Sequence, residues 1–209
     1  MADNYLEKKF EEYRSAAPRR KAAASLSTLL KKNRSYRGFD KSCIVTEAQL
    51  RRIVETNTRI PSGRNRQALR FKLVTKDTGS DKVLSTIKLG GALPELHLPF
   101  AGTEPEAFII ICSKIEPDKW VYMDTGISAQ SMLLKATEMG LGGICIGAFD
   151  KEFVKKEFSI EYEPVLILAI GKSAEKIELV PIRENESHSY YRRDGIHYVP
   201  KVVIDDLIL

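Results

Sequence analysis

Two short runs constrain this chain more than anything else in it: Ala107 to Cys112 (AFIIIC) and Val165 to Ile170 (VLILAI). Both are apolar at every position, rich in isoleucine, and free of polar alternation. A strand with one wet face must alternate apolar and polar residues, so a run apolar on both faces belongs to a sheet covered on both sides. Such a sheet needs helices as cover, and the sequence supplies them. Thr46-Glu47-Ala48-Gln49 forms a capping box that predicts a helix to about Asn57, with Leu50, Ile53 and Val54 at helical spacing. The longest helix is expected over Tyr122–Met139, closed by Gly140 and Gly142; Asp150 caps another through Phe158. Two more are expected over Tyr5–Arg14 and Lys21–Lys32, and further strands at Phe71–Thr75, Ile144–Ile146 and Tyr198–Ile204. Helices covering a central sheet give an α/β-type fold, and 209 residues suit one buried domain.

Charge and cysteine content narrow the class further. Apolar residues make up 43% and charged ones 29%, the balance of a soluble globular chain. The net charge of +5, from 33 Lys and Arg against 28 Asp and Glu, favours small anionic ligands and is weak support for nucleic acid. Cys43, Cys112 and Cys145 are odd in number and widely spaced, which indicates neither a disulfide framework nor a metal site. Cys112 and Cys145 lie in apolar runs and are expected in the core. His97, His188 and His197 lack metal-ligand spacing and are expected on the surface or in loops. No stretch approaches the roughly eighteen apolar residues of a membrane span, and no signal peptide follows Arg19-Arg20-Lys21, so a reducing, cytoplasmic setting is expected.

Two polar segments carry the chemistry. Arg34-Ser35-Tyr36-Arg37 brings two guanidinium forks and a hydroxyl into four residues, a donor set suited to a phosphate monoester. Pro61-Ser62-Gly63-Arg64-Asn65-Arg66-Gln67 is dense in amide donors, which suits the polar edge of a flat heterocycle. Competing motifs fail on spacing. Gly171-Lys172-Ser173 would need a glycine where Leu166 stands, and Gly140-Leu141-Gly142 would need one at Cys145. The two basic clusters, Lys31, Lys32, Arg34 and Arg37 with Arg64, Arg66, Arg70 and Lys72, leave one rival: a nucleotide- or nucleic-acid-binding module without redox turnover, whose affinity would fall steeply with salt.

Taken together the segments resemble the nitroreductase family. Asn33-Arg34-Ser35-Tyr36-Arg37-Gly38-Phe39 is similar to the family's Arg-Arg-Ser-x-Arg-x-Phe, and Pro61 to Leu69 to its Pro-Ser-Gly/Ser-x-Asn-x-Gln-Pro-Trp. Asp124-Thr125-Gly126 through Gly140-Leu141-Gly142, then Ile146-Gly147-Ala148-Phe149, and finally Pro200-Lys201, follow in family order from about residue 27 to 204. Asn33 departs from the first arginine, Ala68-Leu69 from Pro-Trp, and Val203 from a second basic position; Lys32 or Lys201 could replace the missing charge.

The resemblance implies a nitroreductase-like fold of the α/β (α+β) class, with a mostly antiparallel central sheet flanked by helices. It implies a homodimer whose C-terminal strands are exchanged, and one domain over 1–209, with a helical extension at 1–26 and an arm at 176–209. It implies FMN as bound cofactor, NADH or NADPH as reductant, and a small electron-poor acceptor: a nitroaromatic, quinone or enone, taken in turn on one ring face by a ping-pong mechanism. Arg34, Ser35, Arg37 and Lys201 would hold the phosphate. Pro61, Ser62, Gly63 and Asn65 would reach the ring from the opposite subunit, with Ile146, Gly147 and Ala148 beside its reactive edge and Arg70 near its pyrimidine edge. No catalytic side chain is implied. The apolar finish Leu207-Ile208-Leu209 is expected to dock on the chain's own body or on a partner, and Lys88–Pro105, with its Gly and Pro, to form a mobile wall of the substrate pocket.

Overall fold

The two apolar runs form the middle of the sheet. In the computed structural model, which describes residues 7–9, 24–91 and 93–209, strands β2 (Phe108–Ser113) and β4 (Glu163–Gly171) lie antiparallel, Ile110 opposite Ile167. Strand β1 (Leu69–Val74) flanks β2 and β3 (Gly142–Ile146) flanks β4, giving an all-antiparallel order β1-β2-β4-β3. Alternation along β2 and β4 sends Ile109, Ile111, Leu168 and Ile170 to one face, and Phe108, Ile110, Cys112, Ile167 and Ala169 to the other. Every one of these is buried, which is why neither strand shows polar alternation.

Each face has its own helical cover. Helices α2 (Glu47–Val54) and α4 (Lys119–Glu138) press Leu50, Ile53, Ala129, Met132, Leu133 and Ala136 onto the first face. Helices α3 (Ser80–Leu84) and α5 (Lys151–Glu157) bring Val83 and Val154 to the second, with Phe39 and Phe158. Thr46 and Asp150 start their helices as expected, whereas α4 begins at Lys119, three residues before the expected Tyr122, because Asp118 supplies the cap. Thr46 and Gln49 close the capping box, Asp118 caps α4 by accepting from the N–H groups of Trp120 and Val121, and Asp150 accepts from Phe153 N–H at 2.9 Å. Gly140, at φ +78°, ends α4 in the left-handed conformation that L side chains resist. The capped helix from Glu47 turns 3₁₀ over Glu55–Thr58, one residue beyond the expected end at Asn57. Helix α1 (Leu26–Lys32) fills the second half of the helix expected over Lys21–Lys32. The Tyr5–Arg14 helix lies outside the described residues except for 7–9, which are helical.

A second sheet was not expected in this form. Strand β5 (Lys176–Ile182) pairs parallel with β7 (Ile196–Val202), which pairs antiparallel with β6 (Tyr191–Arg193). The β6–β7 turn is Asp194-Gly195, both at positive φ (52° and 75°), the requirement of a two-residue hairpin. The last strand thus pairs inside its own chain. The apolar tail beyond it, Ile204, Leu207, Ile208 and Leu209, stays exposed.

Candidate functional site

The Arg34–Asp40 segment is clamped on both sides. Ser35 bridges to Gly143 at the outer edge of β3, and Tyr36 N–H donates to Gly143 O at 3.2 Å. On the other side Asp40 N–H donates to Lys172 O at 2.8 Å and Ala174 N–H to Gly38 O at 3.1 Å, where the chain leaves β4 for β5. Two glycines make the seat possible. A Cβ on Gly142 would stand 2.6 Å from the Tyr36 ring, and one on Gly143 would stand 2.3 Å from Ala169 O. The glycines after α4 thus serve packing as well as helix termination.

The clamp delivers its cations to a pocket of about 350 Å³ lined by Arg34, Ser35, Arg37, Gln130, Cys145, Tyr190, His197 and Lys201, among others. All four residues expected to hold a phosphate therefore come together. Arg34 Nη2 donates to Leu30 O at 2.6 Å and Arg37 Nη1 to Ser35 O at 3.1 Å. Arg37 lies over the Tyr190 ring at 5.0 Å, and Glu175 accepts from both Arg37 N–H and Arg192 Nη2. The Nε groups of Arg34, Arg37 and Arg192 are buried without a partner. An idle buried donor costs about 1–3 kcal/mol, more when charged. Burial lowers the Arg34 pKa from the ordinary arginine value, Tyr36 opposing it, yet a guanidinium keeps its proton in proteins. Charged, under-bonded arginines lining a cavity, as Arg34 and Arg37 do, are complementary to an anion.

The Pro61–Gln67 loop builds a different surface. It makes a 3₁₀ turn over Gly63–Asn65, with Arg64, Asn65 and Gln67 all at positive φ (53°, 53° and 46°). Three non-glycine residues in that region hold about 1–3 kcal/mol of strain each, so the loop must be tied down elsewhere. Gly63 N–H donates to Asp124 Oδ1 at 2.8 Å, and Arg66 donates both Nη groups to Asp118 at 2.8 and 2.9 Å. That hydrogen-bonded pairing, first among its causes, holds the Asp118 carboxyl well below the usual carboxylate range. Asp124, 5% exposed in α4, keeps Oδ2 buried and unpartnered. Pro61, Ser62, Asn65 and Arg70 line a groove of about 1320 Å³ between α2, α4 and the open edge of β1. Arg70 spends Nη1 on the carbonyls of Gln67 and Leu69.

Groove and pocket share no lining residue, so one chain brings together each half of the expected site but not the two halves. Gly147 and Ala148 are exposed just past β3, where a Cβ on Gly147 would meet nothing within 4 Å and Ala148 O accepts from Lys88 N–H. Ile146, 3% exposed, belongs to the core cluster with Ile167.

Two readings are corrected. Cys145 is exposed at the pocket, because it alternates with buried Ile144 and Ile146 and so faces away from them. His197 is 1% exposed inside β7, and neither ring nitrogen has a partner. Sequence reasoning also passed over Glu175, Tyr190 and Arg192; for His197 a signal existed, its period-two spacing with Val199 and Lys201.

The nitroreductase family profile matches residues 30–172, a span that holds both polar segments and the whole central sheet. The chain belongs to the nitroreductase family. YdgI of Bacillus subtilis (strain 168), named as a candidate NAD(P)H nitroreductase, is 23% identical over 184 residues, covering 71% of this chain and 88% of YdgI. The fold is shared with the FMN-dependent nitroreductase of Clostridium difficile R20291, with TM-score 0.58 and 23% identity over 71% of this chain and 87% of that one. It is shared too with the FMN- and NADPH-dependent nitroreductase NfnB of Sphigopyxis sp. strain HMH, with TM-score 0.59 and 21% identity over 72% and 89%. Among the described residues no helix is long and apolar enough to cross a membrane.

Proposed function

We propose that this nitroreductase-family chain is an FMN-dependent oxidoreductase that passes hydride from NADH or NADPH to a nitroaromatic, quinone or enone, and that it works as a homodimer. The observation that carries the proposal is the set of buried, under-bonded arginine donors beside Ser35 and Lys201, a cradle that fits a phosphate monoester. Arg34, Ser35, Arg37 and Lys201 would hold that phosphate. The names of the Clostridium and Sphigopyxis proteins, both FMN-dependent, point the same way.

The loop residues Pro61, Ser62, Gly63 and Asn65 would meet the ring from a second copy, which accounts for the separation of groove and pocket within one chain. Arg70 would set positive charge near the pyrimidine edge, while the main chain of Ile146, Gly147 and Ala148 would border the reactive edge. FMN, when bound, supplies the two-electron chemistry. The chain's part is to bind, orient and keep one ring face open, and no side chain need act as acid or base. Reductant and acceptor would use that face in turn.

The tail past β7, exposed at Ile204, Leu207, Ile208 and Leu209, would cross to the partner and exchange the C-terminal segment, with 1–209 as one domain and 176–209 as the arm; the 1–26 extension lies outside the described residues except for 7–9 and 24–26. The three cysteines are free thiols, in keeping with a reducing cytoplasmic setting.

The visible spectrum of the purified protein tests this first: a yellow protein, or one that takes up FMN on titration and bleaches on adding NADH or NADPH, is expected. A protein that stays colourless with excess FMN ends the proposal. Initial rates at several acceptor concentrations should then give parallel double-reciprocal lines; intersecting lines would rule out shared-face turnover.

A further inference from the structure

His197 sits at the floor of the anion pocket in an unusual state. It stands opposite Ile177 of β5 and Arg192 of β6, and shares the pocket-facing side of β7 with Val199 and Lys201. A neutral imidazole carries one donor and one acceptor, and here both nitrogens are buried and idle. The Tyr190 ring packs 5.0 Å from its own ring. The charged groups around it are Arg37 from the clamped segment, Arg192 from β6, Glu175 ahead of β5, and the pocket's Arg34 and Lys201. Four cations against one carboxylate make a positive charge on the ring costly. Burial, then Arg37 and Arg192, push the His197 pKa below the ordinary histidine value, with Glu175 opposing.

We infer that His197 is the proton-taking member of the anion cradle: it is neutral in the empty pocket and gains one proton from solvent when a phosphate monoester enters, turning its idle ring nitrogens into donors. The inference rests on the FMN-phosphate reading given above. A dianion entering among Arg34, Arg37 and Lys201 reverses the local field, so the change that was costly becomes favourable. Binding and protonation are then linked, and FMN binds more tightly as pH falls from 8 towards 6.5, a window above the phosphate's own second pKa of about 6. Riboflavin, which has the ring but no phosphate, would bind without taking up the proton.

Two measurements test this on the full-length protein. Titration calorimetry with FMN at pH 7.5, in phosphate-free buffers of unlike ionisation heat, should show uptake of about half to one proton per FMN in the wild type. Uptake should be near zero for His197→Gln and for riboflavin on the wild type. Between pH 8 and 6.5 the wild-type affinity should rise several-fold, bounded by about tenfold per pH unit for one linked proton, and the variant's should stay flat. Equal proton uptake in wild type and variant, or none in a wild type that binds FMN, overturns the inference.

The second measurement needs no variant to fold. The His197 ring resonance, one of three histidine signals, is followed by NMR through a pH titration with and without inorganic phosphate, and its midpoint should rise when phosphate is present. A midpoint that does not move, whether or not phosphate binds, overturns the inference. A midpoint that rises with phosphate in a protein that ignores FMN upholds the proton-linked anion pocket and overturns the flavin reading alone.

Discussion

Single atoms decide how the phosphate segment is seated. Gly143 has no room for a side chain: a Cβ would sit 2.3 Å from Ala169 O and 2.8 Å from Leu133 Cδ2, and the first neighbour is backbone that cannot swing away. Gly143→Ala is therefore expected to destabilise the chain by about 3 kcal/mol or more, at the upper end of overpacking costs, read as a fall in the denaturant midpoint. Gly147→Ala is the contrast, because nothing lies within 4 Å of its would-be Cβ. Its midpoint should match wild type while FMN affinity drops, since the only thing left for the methyl to meet is the ligand; unchanged affinity would remove Gly147 from the proposed ring contact. His197 adds a pH signature to the ligand-free protein. Its folded pKa lies below the unfolded value, so the unfolded chain binds more protons between the two. Stability is then fully present above about pH 6.5 and is lost as pH falls towards the folded pKa, at no more than about 1.4 kcal/mol per pH unit. Thermal melts between pH 7.5 and 5.5 should show a loss that His197→Gln removes.

At the scale of elements, the strained loop and α4 form one device. Asp118 both caps α4 and holds Arg66, and Gly63 rests against the ring of Trp120, the chain's one tryptophan, 3.4 Å from its would-be Cβ. Asp118→Asn keeps a capping side chain but gives up the paired charge. Helix content by circular dichroism should hold, while Trp120 emission shifts and FMN affinity falls as the loop slackens. Unchanged emission would mean that the remaining Gly63–Asp124 bond suffices. This coupling was only half legible beforehand. The central strands announced themselves because a doubly covered sheet tolerates no polar residue, and the helix starts because Thr46 and Asp150 cap through local geometry. Strand β5 was hidden: Lys176, Glu178 and Pro181 give it a polar look, and its partner β7 is parallel and some twenty residues away, a contact no local pattern records. For His197 the period-two spacing with Val199 and Lys201 gave its side of the strand, but not that Tyr190 packs on its ring or that β5 and β6 flank it. Cys145 was misread by composition, where alternation with Ile144 and Ile146 put it on the other side of β3.

For the molecule as a whole, the exposed apolar surface is concentrated on α4, α1 and the tail. Trp120, Tyr122, Met123 and Ile127 are exposed along α4, Leu26 and Leu30 along α1, and Ile204, Leu207, Ile208 and Leu209 on the tail. Scattered apolar residues need no explanation, but a helix that buries one face in the core and leaves the other apolar marks an interface. The groove beside β1 supplies the counterpart: it is open along a strand edge without a partner among the described residues, and an unpaired edge is a template for added chain. A second copy whose tail lies along the first would cover both features at once and carry the Pro61–Gln67 loop towards the other copy's anion pocket. Deleting residues 203–209 removes the tail but none of the described strands, so the chain should fold with unchanged helix content. Sedimentation equilibrium is expected to show a dimer for the full chain and a concentration-dependent shift to monomer for the truncated one, with FMN affinity falling in parallel because each pocket loses the other copy's loop. If the truncated protein stays dimeric and holds FMN as before, α4 alone makes the interface and the tail has no part in the site; if the full chain is a monomer that binds FMN, the two-copy site is wrong.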